Sequence, residues 1–237
     1  MGGLMTVDVS SLLLTMRADT TDLKAIEEVI KKRAYGSTLR RGVVSPEVGE
    51  TWLDAGANIG AFSVWATGIC GAKRIVAIEP ESDNLFLLQT NVHQNDLAER
   101  ITILQGAVTA SQSGTGMLYL CSGEKNKYRH SLLPKKRGNQ APCRLFNFWE
   151  MLSGYLFDGI KMDIEGTELS LLDASRAWPC RKLVFEYHFN ADRSIPNFRH
   201  RMQALEADGF HVYFGSLPRG KDTYDYFPVG RIVYCFR

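Results

Sequence analysis

The sequence predicts an α/β domain in which a parallel β-sheet is covered by helices on both faces. From residue 51 onward, short apolar runs alternate with segments whose apolar residues recur at helical spacing, which is the pattern of successive βα units. The length of 237 residues suits one such domain. The hydrophobic fraction of 45% and the charged fraction of 23% are those of an average globular protein, so fibrous and disordered classes are excluded.

Charge, hydropathy and cysteine usage exclude further classes of protein. The 28 Lys+Arg against 26 Asp+Glu leave a net charge of +2, which indicates neither a nucleic-acid nor a membrane partner. No apolar run approaches the roughly 18 residues of a membrane helix, and the N-terminus lacks the basic start of a signal peptide. Five cysteines without a Cys-x-x-Cys pair favour reduced thiols in the cytoplasm over a disulfide scaffold or a zinc site.

The first 49 residues differ from the rest of the chain. Residues 21–34 predict a helix, because Thr21 can cap it and its apolar residues share one face. A turn-rich stretch follows. We therefore divide the chain into an N-terminal helical extension or lid, residues 1–49, and a main domain, residues 50–237. The first six residues, MGGLMT, also fit the loose pattern for myristoylation of Gly2, but the pattern is short and an ordinary flexible N-terminus is favoured.

The main domain alternates strands and helices in a regular order. The predicted strands are 51–53, 74–78, 101–104, 159–162 and 182–185, with two closing strands at 210–214 and 231–236. The predicted helices are 59–70, 82–95, 146–153, 166–175 and 194–209. Residues 106–142 predict largely irregular structure, with at most one strand at 116–120.

Local signals support the helix boundaries. Ser82 and Ser194 occupy capping positions at the start of their helices. Pro196 follows Ser194 in the first helical turn, where its missing N–H leaves no hydrogen bond unmade. Gly209 follows the last apolar residue of the same helix and is typical of a helix end. The strands are short β-branched runs, as expected for a buried parallel sheet.

Ligands of doubly wound sheets bind beyond the carboxyl ends of the strands, so the residues that follow each strand are the candidate site. The glycine-rich turn after the first strand reads Asp54-Ala-Gly56-Ala-Asn58-Ile-Gly60. Gly56 and Gly60 allow the backbone to approach a ligand closely. A dinucleotide fingerprint would need glycine where Asn58 stands. Asp54 instead suits an ammonium and Asn58 a carboxylate, which together form the amino-acid end of S-adenosylmethionine.

A second acid strengthens this interpretation. Glu79 lies at the end of the second strand, 25 residues after Asp54, where a carboxylate can accept hydrogen bonds from both ribose hydroxyls of an adenosine. Gly106 and Ala107, after the third strand, are expected near the adenine ring. The combination favours S-adenosylmethionine over a nicotinamide cofactor.

Four stretches of the sequence resemble the FkbM family of S-adenosylmethionine-dependent methyltransferases. They are DAGANIGAFS from residue 54, Ile78-Glu79-Pro80, KMDIEGTE from residue 161, and Phe185-Glu186-Tyr187-His188. The similarity covers about residues 50–190, and the signature Lys-x-Asp-x-Glu-Gly-x-Glu is complete. The resemblance implies a Rossmann-like class I methyltransferase fold with a mostly parallel seven-stranded sheet and a final antiparallel strand. It also implies methylation of hydroxyl oxygens on sugars or secondary metabolites.

The acceptor side of the predicted site lies at the ends of the fourth and fifth strands. Asp163, Glu186 and His188 are the predicted catalytic residues. His188 can titrate near neutral pH and take the proton of an acceptor hydroxyl, while Asp163 orients His188 or the acceptor. Lys161 and Glu165 are the predicted acceptor-binding residues.

Lys161 lies within a buried strand and points to the same face as Asp163. A buried lysine needs an acidic partner, for which Glu165 and Glu168 are the candidates. A purely structural interpretation remains, in which the acids stabilise the positive end of the following helix. This structural role is favoured for Glu168.

Three alternative functions stay open. Asp163, Glu186 and His188 can together bind a divalent cation that lowers the pKa of the acceptor hydroxyl, although no metal ligand is assigned. A nicotinamide-dependent oxidoreductase is disfavoured by Asn58. A non-catalytic interaction module of the same fold is disfavoured by the acids that follow the strands.

A basic segment precedes the fourth strand. Its charged residues are Lys125, Lys127, Arg129, His130, Lys135, Lys136 and Arg137. It predicts either a contact for a phosphorylated or acidic acceptor or a solvated loop. A nucleic-acid acceptor is disfavoured, because the fourth strand lacks the Asn/Asp-Pro-Pro-aromatic motif of base methylation. We expect a small-molecule or glycan acceptor and no nucleic-acid or membrane partner, with the oligomeric state left open.

Overall fold

A computed structural model describes residues 3–36, 38–39, 42–120, 130–134, 139–174, 176–189, 191–192, 194–214 and 230–237. The strands are β1 (Leu4–Val9), β2 (Leu12–Arg17), β3 (Thr38–Leu39), β4 (Gly42–Val43), β5 (Thr51–Ala55), β6 (Arg74–Glu79), β7 (Ile101–Gln105), β8 (Ala107–Thr109), β9 (Gly114–Tyr119), β10 (Gln140–Asn147), β11 (Gly159–Met162), β12 (Lys182–His188), β13 (His211–Phe214) and β14 (Gly230–Phe236). The helices are α1 (Asp22–Ile26), which continues as a π-helical turn over Glu27–Lys31, α2 (Ala61–Gly68), α3 (Ser82–Gln94), α4 (Phe148–Gly154), α5 (Glu168–Leu172) and α6 (Ile195–Ala207).

The centre of the molecule is a seven-stranded sheet with the order β13-β14-β12-β11-β5-β6-β7. The five strands from β12 to β7 are mutually parallel, and β14 runs antiparallel to both of its neighbours. The predicted Rossmann-like sheet with a final antiparallel strand is therefore confirmed. Because β5 lies between β6 and β11, the strand order reverses beside it, and this switch point is where such sheets bind ligands.

Both faces of the sheet are packed, as the uninterrupted apolar strands predict. One face forms a core with α2 and α3 that includes Trp52, Phe62 and Trp65. The other face packs against α4, α5 and α6 around Phe148 and Phe185. All four residues of β11 are buried, so any polar side chain in this strand needs a partner inside the protein.

Several predicted boundaries shift by a few residues. The side chain of Glu81, rather than that of Ser82, caps α3 by accepting a hydrogen bond from the Asn84 N–H, whereas Ser194 caps α6 as predicted. The strand predicted at 182–185 extends to His188 because it pairs with β14 along its whole length. Residues 186–188 therefore end the strand instead of following it.

Two regions contain strands that the sequence pattern did not predict. β1 and β2 form an antiparallel hairpin, which joins α3 where Asn91 exchanges hydrogen bonds with the backbone of Thr15. In the stretch expected to be irregular apart from a strand at 116–120, β8, β10 and β9 form a three-stranded sheet, in which β9 overlaps the predicted strand. The helix predicted at 146–153 accordingly begins at Phe148, since the preceding residues belong to β10.

Some predictions lie outside the described residues. These are the Gly2 pattern and, in the basic segment, Lys125, Lys127, Arg129, Lys135, Lys136 and Arg137. The division of the chain at residue 49 stays a prediction. Within the described ranges, no helix combines the length and the apolar character that a membrane crossing requires.

Candidate active site

A cavity of about 570 Å³ opens at the carboxyl ends of β5, β6, β11 and β12, where the sequence places the site. Most of the predicted site residues line it: Gly56, Asn58, Glu79, Gly106, Ala107, Lys161, Asp163, Glu165, Glu186 and His188. Asp54 and Gly60 do not line the cavity. The fold therefore brings most of the predicted residues around one space and leaves two of them in other roles.

The turn after β5 is shaped by left-handed backbone conformations. Gly56 has φ +77°, and a Cβ there would lie 1.9 Å from the Asp163 carbonyl oxygen, so no side chain fits. Asn58 also has a positive φ, 52°, and its amide oxygen is buried with no hydrogen-bond partner among the described residues. Gly60 is needed for packing, because a Cβ there would lie 2.5 Å from Leu88 Cδ1 of α3. The predicted cofactor contact of Gly60 stays a prediction.

Asp54 and Lys161 form a buried ion pair under this turn. The Asp54 Oδ1 and Lys161 Nζ atoms are 3.0 Å apart, and both side chains are almost fully buried. The other Asp54 oxygen accepts a hydrogen bond from the Ser63 hydroxyl, and Lys161 donates another to the Gly56 carbonyl oxygen at 2.7 Å. The structure thus pairs Asp54 with Lys161, while the contacts of Asp54 with a ligand ammonium and of Lys161 with the acceptor stay predictions. Both residues hold the glycine turn in place.

The partner predicted for Lys161 is wrong for a topological reason. β11 lies directly beside β5, and Lys161 is in register with Asp54. Glu165 and Glu168 follow the strand, and both lie beside His188. The strand order of a class I sheet, applied to the sequence, would have suggested the Asp54 pairing.

Glu79 lies at the end of β6 with 4% of its surface exposed. One carboxylate oxygen accepts a hydrogen bond from the Asn58 N–H at 2.8 Å, and the other accepts from the Glu81 N–H and the Asn84 side chain. Burial raises the pKa of Glu79 to about 7 despite these hydrogen bonds. The oxygen bonded to Asn58 keeps acceptor capacity for a ligand hydroxyl.

Glu79 is connected to the N-terminal hairpin by buried polar contacts. Asn84, which donates to Glu79, accepts a hydrogen bond from the Arg17 guanidinium at 2.7 Å. Arg17 also pairs with Asp22 at 2.8 Å. Sequence analysis missed Arg17 and Asn84, since nothing in the local sequence of Arg17 indicates a contact with a residue 67 positions away.

His188 is surrounded by carboxylates. Its Nδ1 atom lies 3.1 Å from Glu168 Oε1, and its Nε2 atom lies 3.6 Å from Glu165 and 3.8 Å from Asp163. Burial lowers the pKa of His188, but the hydrogen bond to Glu168 and the neighbouring negative charges outweigh it and raise the pKa to about 10. A pKa of this size favours the protonated form of His188 at neutral pH, which disfavours the predicted role of a neutral base.

Glu168 has the structural role that the sequence favours. It is fully buried, and besides the His188 ring it binds the backbone N–H groups of His188 and Gly166 at 2.9 and 2.8 Å. These contacts fix the turn after β11 against the end of β12. Glu165 in the same turn has φ 53°, and its carbonyl oxygen accepts a hydrogen bond from the Ser131 hydroxyl.

Glu186, like Glu79, is a buried acid whose pKa is raised toward neutrality. Burial, followed by the negative charge of Asp163, raises its pKa to about 7. Ligand atoms of Asp163, Glu186 and His188 all lie within 4.8 Å of one another. The carboxyl group of Glu186 packs against the backbone of Gly230. A Cβ atom at position 230 would lie only 1.8 Å from Glu186 Oε1.

The N-terminal segment supplies one wall of the cavity. Tyr35 donates a hydrogen bond from its hydroxyl to Asp163 Oδ2 at 2.7 Å. Lys24, Glu28 and Lys32 line the same wall. Sequence analysis named none of these residues as part of the site, because their local sequence shows only an amphipathic helix and a turn.

Comparison with known proteins agrees with this geometry. A family model described as the methyltransferase FkbM domain matches residues 54–212. The methyltransferase sdnD of Sordaria araneosa is 26% identical over 199 residues, which cover 68% of this chain and 73% of that protein.

Solved methyltransferases share the fold. The FkbM methyltransferase of Methylobacillus flagellatus aligns with a TM-score of 0.51 at 20% identity over 79% of this chain, which spans 44% of that longer chain. TYW2 of M. jannaschii, solved in complex with AdoMet, aligns with a TM-score of 0.50 at 13% identity, covering 99% of this chain and 85% of that chain. Since the family model covers more than half of the sequence and the predicted motifs lie within it, the chain belongs to the FkbM family of S-adenosylmethionine-dependent methyltransferases.

Proposed function

We propose that this methyltransferase acts on a hydroxyl oxygen of a small molecule or glycan. The observation that carries the proposal is the acceptor end of the cavity, where Glu186 has a pKa of about 7 and stands beside Asp163 and protonated His188. A weakly acidic hydroxyl needs a base that is deprotonated at neutral pH and accepts a proton readily. Glu186 meets this requirement, and His188 does not.

The opposite end of the cavity fits S-adenosylmethionine. Gly56 lets the turn after β5 lie directly against the Asp163 backbone, and the Asn58 amide oxygen is a buried acceptor without a partner among the described residues, suited to an ammonium. Glu79 offers a buried carboxylate to the ribose hydroxyls, and Gly106 and Ala107 line the region expected for adenine. These residues would hold the nucleoside and the amino-acid end of the cofactor.

S-adenosylmethionine supplies an electrophilic methyl group when bound. That chemistry would be an in-line displacement, in which the methyl group would move to the acceptor oxygen and the electron pair would stay with the sulfur of the cofactor. The hydroxyl proton passes to Glu186. Asp163 and His188 hold the acceptor and the ionised Glu186 in place, since much of the rate of such displacements comes from positioning.

We expect the affinity for S-adenosylhomocysteine to depend on pH through Glu79. The ribose hydroxyls donate to the ionised carboxylate, so affinity is full above the Glu79 pKa of about 7 and falls as the pH drops below it. The fall approaches about tenfold per pH unit. Calorimetric titrations from pH 5.5 to 8.5 measure this dependence.

Glu79→Gln removes the titrating group and should give weaker binding with a flat pH profile. Glu186→Gln is the matched control, because Glu186 also has a pKa of about 7 but lies at the acceptor end. That variant should keep the wild-type slope. If the pH dependence of the affinity remained in Glu79→Gln and disappeared in Glu186→Gln, the assignment of the two acids would be reversed.

A metal-assisted reaction is the second candidate. Asp163, Glu186 and His188 can offer three ligand atoms, and Glu168 holds the far nitrogen of the His188 ring, an arrangement common among metal-binding histidines. A cation there would supply Lewis-acid assistance to the acceptor hydroxyl. Calorimetric titration of the S-adenosylhomocysteine complex with Mg²⁺ or Mn²⁺ tests this second candidate. Cation binding to the wild type that disappears in Asp163→Asn would favour the metal-assisted reaction over a base alone.

The acceptor class is tested by transfer of a tritiated methyl group from S-adenosylmethionine. We expect incorporation into hydroxylated small molecules or glycans, and none into RNA or DNA. Incorporation that resists alkaline hydrolysis and elutes with an ether product would support O-methylation, whereas labelled nucleic acid would contradict the proposal.

We also infer a cytoplasmic location, supported by the four described cysteines, all of which are free thiols.

A further inference from the structure

Tyr35 reaches the acceptor end of the cavity from a part of the chain that the family match does not include. The match begins at residue 54. Tyr35 is 7% exposed, and it contacts Asp163 although 128 residues separate them in sequence. The contact therefore belongs to this chain's N-terminal segment and not to the matched domain.

The backbone around Tyr35 is shaped to send this side chain inward. The π-helical turn Glu27–Lys31 ends just before it, and Arg33 adopts a left-handed φ of 51°. Such local departures from regular helix often occur at functional sites. Gly36 then passes close to Trp65, where a Cβ would lie 2.6 Å from the ring. The Tyr234 hydroxyl fixes the chain on the other side by donating to the Ala34 carbonyl oxygen at 2.8 Å.

The Tyr35 side chain is held on three sides. Its ring meets Phe62 edge-to-face at 6.1 Å between centroids, and the Lys161 ammonium lies 5.1 Å from the ring centre. Its hydroxyl donates to Asp163 Oδ2, which leaves Oδ1 on the side of His188. Burial, with the nearby negative charges, keeps the pKa of Tyr35 well above its usual value, so the hydroxyl remains a donor.

We infer that Tyr35 is a positioning residue, whose hydroxyl holds the Asp163 carboxylate toward the methyl group to be transferred. The N-terminal segment then contributes a positioning residue to the active site. This inference rests on the proposed function, because it assumes that the cofactor's methyl group faces Asp163.

The experiment compares two cofactor analogues and needs no acceptor. Sinefungin carries an amine-bearing carbon in place of the methylated sulfonium, so its ammonium stands near the position of the methyl group. S-adenosylhomocysteine carries no charge there. Calorimetry gives the ratio of their dissociation constants for the wild type, Tyr35→Phe and Tyr234→Phe. Any general loosening of the cofactor site affects both ligands and cancels in this ratio.

The wild type should prefer sinefungin, and Tyr35→Phe should reduce the preference about tenfold or more, the effect of losing one hydrogen bond to a charged group. Tyr234→Phe is the matched control, because its hydroxyl supports the same turn without touching Asp163. It should keep the wild-type ratio within about twofold.

Asp163→Asn provides a second variant that does not alter the N-terminal segment. It should lower the ratio as Tyr35→Phe does, and the double variant should lower it no further if Tyr35 acts through Asp163. If Tyr35→Phe or Asp163→Asn kept the wild-type ratio of the two dissociation constants, the inference would be overturned. The proposed cofactor site would not be affected by that result. Failure of the wild type to bind either analogue would instead contradict the proposed function.

Discussion

Lys161→Met should lower the free energy of unfolding by about 3–5 kcal/mol, the cost of leaving a buried charge without its partner. The substitution leaves Asp54, which has no exposed surface, without its cationic partner, and it removes the donor to the Gly56 carbonyl oxygen. Urea denaturation followed by tryptophan fluorescence measures the loss, since Trp52 and Trp65 lie in the adjoining core.

Lys31→Met is the matched control for this prediction. Lys31 pairs with Glu27 at 2.9 Å, almost the same separation as in the buried pair, but both side chains are largely exposed. Loss of such a surface pair costs at most about 1 kcal/mol. Equal losses in the two variants would show that the Asp54–Lys161 pair does not support the glycine turn.

Gly56→Ala should strongly weaken cofactor binding. The new Cβ would overlap the Asp163 carbonyl oxygen, which belongs to the backbone and cannot move aside without displacing the acceptor side of the site. We expect the dissociation constant for S-adenosylhomocysteine to rise at least about 100-fold, because displacement of a ligand-positioning turn by about 1 Å has effects of that size.

Gly49→Ala separates this overlap from backbone strain. Gly49 has φ +87°, close to the +77° of Gly56, but a Cβ there meets nothing within 4 Å. Both variants carry the left-handed strain of an alanine, about 1–2 kcal/mol, and only Gly56→Ala adds the overlap. Gly49→Ala should bind S-adenosylhomocysteine normally. Comparable binding by both variants would mean that the turn after β5 does not contact the cofactor.

The sequence predicts the sheet and the location of the site because both depend on local patterns. Apolar β-branched runs mark the parallel strands, and acids such as Glu79 and Asp163 stand where those strands end. Ligands of this architecture bind at those ends, so the position of a residue along its strand is enough to place it near the cavity.

The roles of individual residues depend on contacts that local patterns do not encode. Asp54 has the position of a ligand contact, but the neighbouring strand places Lys161 against it. His188 has an ordinary pKa near neutrality until Glu168 binds its ring. Tyr35 and Arg17 reach the site from the N-terminal segment across large sequence separations. These features arise from tertiary packing, which periodicity and spacing do not report.

A crystal structure of the protein with S-adenosylhomocysteine tests the central claim most directly. We predict that the ribose hydroxyls contact the Glu79 carboxylate, that the amino-acid end lies on the turn of Gly56 and Asn58, and that the sulfur faces Asp163 and Glu186. A nucleoside bound elsewhere, or a ribose turned away from Glu79, would contradict the account.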